Sequence, residues 1–132
     1  MQKKILSLTL AVALLFSLSI SALAVSVTPR WNTTMDCDIS FGFSGSTAQC
    51  NVSINGKTGT NKIVAKTTLE RYNGSGYSTV KTWEQTVYTS SYTLDGTSTN
   101  CVRGDYRLRV NATVYNANGT SDVLSEYATA TY

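Results

Sequence analysis

Histidine is absent from this 132-residue chain, proline occurs once, and only 14% of the residues are charged. Without histidine there is no Ser-His-Asp triad, no Cys-His pair and no metal held through imidazole. The single proline, Pro29, leaves every later segment free to join a hydrogen-bonded ladder. Cysteine is scarce too. Cys37, Cys50 and Cys101 match no zinc-site spacing, and an odd count permits at most one internal bridge. No glycine-rich loop follows a strand and opens a helix, so no phosphate cradle is read. After residue 25 no apolar run is long enough to span a bilayer, and no 3.6-residue apolar stripe develops.

The one long apolar run is at the start. Lys3 and Lys4 precede Ile5 to Ile20, and Ala22-Leu23-Ala24 closes the segment with small residues at −3 and −1. That order predicts a secretory signal peptide over 1–24, cleaved after Ala24. Ser7, Thr9, Ser17, Ser19 and Ser21 dilute the run, which argues against an uncleaved anchor. The mature domain is then 25–132, a single secreted, extracellular domain. No wall-sorting motif or hydrophobic tail is read behind it. Removing Lys3 and Lys4 from the formal +3 leaves nine basic residues against eight acidic ones. A charge near zero gives no pull toward nucleic acid.

Beyond residue 25, Thr, Ser, Asn and Gly alternate with Val, Ile, Leu, Tyr and Phe, the period-two signature of half-buried strands. A short first strand holds Val27 and Trp31. Others are predicted near 35–43, 47–55, 62–72 and 77–88, then around Tyr92 and Leu94, near 106–114 and near 122–132. In 77–88, Val80 and Trp83 fall out of phase, which predicts a bulge or a twist. Asn73-Gly74-Ser75-Gly76, Asp95-Gly96 and Asn118-Gly119 read as turns. Seven to eight short strands in about a hundred residues predict an all-β, immunoglobulin-like two-sheet antiparallel β-sandwich.

Gly104-Asp105-Tyr106-Arg107-Leu108 sharpens that prediction. A tyrosine entering a late strand after such a turn is similar to the tyrosine corner of immunoglobulin-like sandwiches. Cys50 then sits at the early core position, but Leu108 occupies the place of its usual partner. The usual inter-sheet disulfide is excluded. A Cys50–Cys101 bridge with Cys37 free is the expected pairing, with Cys37–Cys50 almost as easy to draw. Three buried thiols are the third arrangement.

The candidates for chemistry are few. Asp36 and Asp38 share a strand face, but calcium takes six to eight oxygens, and no Asp/Asn-rich loop supplies them. Cys50 lies on an apolar face with nothing nearby to activate it. Arg103-Gly104-Asp105 spells the tripeptide that integrins read, and it coincides with a turn the topology requires. Arg103, Arg107 and Arg109 read as a solvated strand face. The sequons at Asn32, Asn51, Asn73, Asn111 and Asn118 follow from composition, and behind a bacterial-type signal no glycans are expected on them. Catalytic, cofactor and metal residues are therefore expected to be none. The aromatic residues are the best functional material. Trp31, Trp83 and Tyr77 are the expected ligand-stacking residues, because exposed rings beside Asn, Thr and Ser suit sugars.

Several short stretches carry a resemblance: Pro29-Arg30-Trp31, Phe41-Gly42-Phe43-Ser44-Gly45, Thr47-Ala48-Gln49-Cys50 and Ile54-Asn55-Gly56. Leu69-Glu70-Arg71, Val80 with Lys81-Thr82-Trp83, and Gly104 to Leu108 continue it. In this order they resemble a family of small secreted β-sandwich proteins of clostridial-type Gram-positive bacteria, a domain of unknown function. The resemblance implies export and an all-β domain, and it carries no catalytic residue over. The expected function is a non-enzymatic, monomeric binding module for an extracellular partner: glycan, wall polymer or protein. The alternative is a small secreted effector, a bacteriocin-like toxin or an inhibitor.

Overall fold

The computed structural model describes residues 31–132. The signal segment, its cleavage point and the strand start at Val27 to Pro29 lie outside the described residues. Seven strands follow: β1 Thr34–Ser44, β2 Thr47–Gly56, β3 Thr60–Tyr72, β4 Tyr77–Val87, β5 Ser91–Ser98, β6 Asp105–Asn116 and β7 Ser121–Thr131. Among the described residues no helix is long and apolar enough to cross a membrane.

The strands form two antiparallel sheets, one ordered β1-β2-β5 and the other β4-β3-β6-β7. Their apolar faces pack together, and period-two alternation supplies the core. Ala48, Cys50, Val52 and Ile54 enter from β2, and Ile63, Ala65 and Leu69 from β3. Tyr106, Leu108, Val110, Ala112 and Val114 enter from β6. Cys37, Ile39, Phe41 and Phe43 of β1 close over one side. This is the predicted two-sheet antiparallel β-sandwich, with the fourth strand beside the third.

The corner residue behaves as its position predicts. Tyr106 is buried, and its hydroxyl donates to the Val102 carbonyl at 2.6 Å. Leu108 is fully buried where a second cysteine would stand. The out-of-phase residues of β4 mark a real irregularity: Leu69 pairs with Lys81 and Glu70 with Thr79, which leaves Val80 as the extra residue.

One predicted turn is wrong. Asp95-Gly96 lies inside β5, where Gly96 pairs with Cys50. A Cβ at Gly96 would lie 2.9 Å from Cε2 of Trp83. The glycine is there because the indole of the opposite sheet rests on its backbone, not because the chain reverses.

The first strand is fastened across the sandwich by Asp122. Its carboxylate accepts the backbone N–H groups of Asn32 at 2.9 Å, Thr33 at 2.7 Å and Thr34 at 2.7 Å, and the Thr33 hydroxyl at 2.9 Å. Burial alone would raise the Asp122 pKa. The bonds from Thr33, Asn32 and Thr34 outweigh it and hold the carboxyl at about 2.

Candidate functional site

A sandwich of this kind has two outer faces, and the two differ in chemistry. The outer face of β1-β2-β5 carries short polar side chains and three carboxylates, Asp36, Asp38 and Asp95, with no basic residue in register beside them. Asn55 Nδ2 donates to Asp36 Oδ1 at 2.8 Å. Among the described residues no group of three or more His, Cys, Asp or Glu side chains converges to hold a metal ion.

The outer face of β4-β3-β6-β7 is built from the alternate residues of long strands. Val64, Lys66, Thr68 and Glu70 point out from β3, and Arg107, Arg109, Asn111, Thr113 and Tyr115 from β6. Register sets Tyr127 of β7 beside Arg109, and Arg109 beside Thr68. No element of the described chain covers this face.

Its organising group is Arg107. Nε donates to Glu70 Oε2 at 2.6 Å, and the guanidinium carbon lies 3.9 Å from the Tyr77 ring centroid and 5.8 Å from that of Tyr127. Both side chains of the ion pair are mostly shielded from water, so the charge-assisted bond is worth more than an exposed pair. Stacking and the ion pair together fix the rotamers of Arg107, Tyr77 and Glu70. Tyr72 and Tyr77 lie 5.5 Å apart, and together with Asp105, Thr129 and Thr131 they bound a cavity of about 460 Å³ at this end of the sheet.

Two further depressions lie along the same face. One of about 380 Å³ is bounded by Val64, Lys66, Glu84 and Thr86. The other, about 370 Å³, lies at the far end between Asn61, Lys62, Tyr88, Tyr115 and Asn116. There Lys62 Nζ sits 4.1 Å above the Tyr115 ring.

The three residues expected to stack on a ligand have different placements. Trp31 and Trp83 pack against the core, and Trp83 lies across Gly96. Only Tyr77 stands on the open face. It is 37% exposed, with one side of its ring against Arg107. The most open rings are Tyr88, 78% exposed, and Tyr127, 63% exposed. Alternation alone puts Tyr127 outward, but its neighbours Arg107 and Arg109 become visible only once β6 and β7 are paired.

The other sequence features are accounted for locally. In Arg103-Gly104-Asp105 the Gly104 N–H and C=O pair with Tyr132, Arg71 Nη2 donates to the Arg103 carbonyl at 2.8 Å, and Asp105 accepts from Thr131. The tripeptide is thus tied into the end of the sheet. Cys37, Cys50 and Cys101 are free thiols in this structure, so the expected Cys50–Cys101 bridge is not present in it. Cys101 Sγ instead donates to the Ser98 carbonyl at 3.3 Å. Burial pushes the Cys50 thiol up to about 11, with nearby Cys101 adding to the rise. Cys37 is raised to about 11, again mainly by burial. Neither is an activated nucleophile.

Comparison of the chain with protein-family models, with curated proteins and with solved structures finds no match.

Proposed function

We propose that this chain is an extracellular, non-enzymatic binding module that takes a glycan or wall polymer on the outer face of β4-β3-β6-β7. The observation that carries the reading is the ordered group of Tyr77, Arg107, Glu70 and Tyr127 on a face that nothing else in the described chain covers. Aromatic rings held at fixed angles beside Thr, Asn and Arg donors offer stacking and hydrogen bonds at little ordering cost. The signal read over 1–24 supports action outside the cell. Non-enzymatic action is supported by the lack of histidine and by the capture of Glu70 in an ion pair, which removes it from acid–base work.

The test is retention of the purified protein on isolated cell wall and on arrayed glycans, with Tyr127→Ala and Tyr77→Ala alongside. Retention that either change reduces by tenfold or more, with an unchanged melting temperature, is the expected result. Retention indifferent to both changes would move the site off this face. No retention on any polymer, together with killing of competing bacteria, would replace the reading by that of a secreted effector.

A further inference from the structure

Resting on the reading above, the geometry points to a particular ligand class: an extended, carboxylate-bearing polysaccharide that lies diagonally across the four-stranded sheet. The two most exposed rings of the face, Tyr127 and Tyr88, stand on its opposite edges. Tyr127 is on the β7 edge, level with Arg109. Tyr88 follows β4 directly, level with Lys62 and Tyr115. Three strand spacings of ~4.8 Å and six residues at ~3.3 Å each put the two positions roughly 25 Å apart. A single sugar or a small metabolite does not reach both, whereas a chain of several rings does.

The charges of this face leave a positive surplus. Each carboxylate of the face is already engaged: Glu70 by Arg107 at 2.6 Å, Glu84 by Lys66 at 2.9 Å, and Asp105 by the Thr131 hydroxyl at 2.7 Å. Lys62 and Arg109 remain. Among the described residues Lys62 meets the Tyr115 ring, and Arg109 makes a second, longer ion pair with Glu70 at 3.8 Å, with its Nε buried and its side chain 35% exposed. A partly exposed guanidinium beside an open tyrosine suits a planar carboxylate carried on a sugar ring. A polyol-phosphate chain supplies the charge but no ring to lie on Tyr127 and Tyr88, so it is the poorer occupant. The opposite face, with Asp36, Asp38 and Asp95, repels the same polymer.

The experiment is affinity electrophoresis of the purified protein in polygalacturonate, a neutral galactan and inorganic polyphosphate, followed by titration with galacturonate oligomers of increasing length. The expected result is strong retention by polygalacturonate that weakens with added salt, with little retention by the other two. Arg109→Ala lowers affinity about tenfold, as expected for loss of a charge-assisted hydrogen bond. Tyr88→Ala weakens long oligomers and leaves a disaccharide unchanged. Asp95→Ala, on the opposite face, changes nothing. Equal retention by the neutral galactan would overturn the acidic-ligand inference while leaving the glycan-module reading intact. Equal affinity for a disaccharide and a long oligomer would overturn the extended geometry. Equal retention by polyphosphate would show that bare charge, not a sugar ring, is recognised. Retention by none of the three, with a protein partner bound on this face instead, would overturn both readings.

Discussion

Asp122 and Thr33, 89 residues apart in the chain, are joined by two hydrogen bonds from one threonine to one carboxylate oxygen, at 2.7 and 2.9 Å. The Thr33 hydroxyl also reaches the Val114 carbonyl at 3.1 Å. This contact ties the entry of β1 to β6 and β7, so the open side of the sandwich is closed by a buried carboxylate rather than by apolar packing alone. Asp122→Ala leaves the donors of Asn32, Thr33 and Thr34 without their acceptor. The expected loss is about 3 kcal/mol, read by urea unfolding. A loss below 0.5 kcal/mol would show that water replaces the carboxylate freely.

The same carboxylate sets an acid limit. Its pKa in the folded protein, about 2, lies below the ordinary 3.8. A group depressed on folding contributes its full stabilisation above the unfolded value and loses it as pH falls through the folded one. The melting temperature is therefore expected to drop between about pH 4 and pH 2. In Asp122→Asn the drop over that window is smaller. An identical pH profile in the two proteins would remove Asp122 from the explanation.

Gly96 and Trp83 form a second cross-sheet pair. Gly96→Ala drives a methyl group into the indole and is expected to cost about 2 kcal/mol. Pairing it with Trp83→Leu relieves the clash, so the double variant is less destabilised than the sum of the singles. Strict additivity in calorimetry would mean that the two side chains do not meet.

Tyr106→Phe removes the corner hydroxyl and leaves the Val102 carbonyl without its donor at 2.6 Å. A loss of about 1 kcal/mol is expected, with the fold intact by circular dichroism.

The thiols give a chemical count. With Cys37 and Cys50 pushed to about 11, roughly a thousandth of each is thiolate at pH 8, so iodoacetamide is expected to label the folded protein slowly. After unfolding without reductant, three alkylated thiols by intact mass match the structure. A single alkylated thiol would mean that a bridge forms when the protein is made.

Much of the sandwich is legible in the chain because its physics is local. Tyr106, Leu108, Val110, Ala112 and Val114 alternate without a break, and Val80 marks its own bulge by falling out of phase. Asp95-Gly96 misleads for the opposite reason. Turn propensity is a local preference, and the close approach of Trp83 from the other sheet outweighs it. Trp31 and Trp83 pack against the core, a placement the sequence does not show, since residue type says nothing about which neighbour claims a large ring.

Period-two alternation by itself determined that this protein is all-β and which side chains of its regular strands point inward. Only the tertiary structure decided which outer face gathers the cations, that Arg109 stands beside Tyr127, and that Asp122 holds Thr33. Alternation assigns each residue to one side of its own strand. Register between strands, set by core packing and by contacts many residues apart, determines which outward side chains become neighbours.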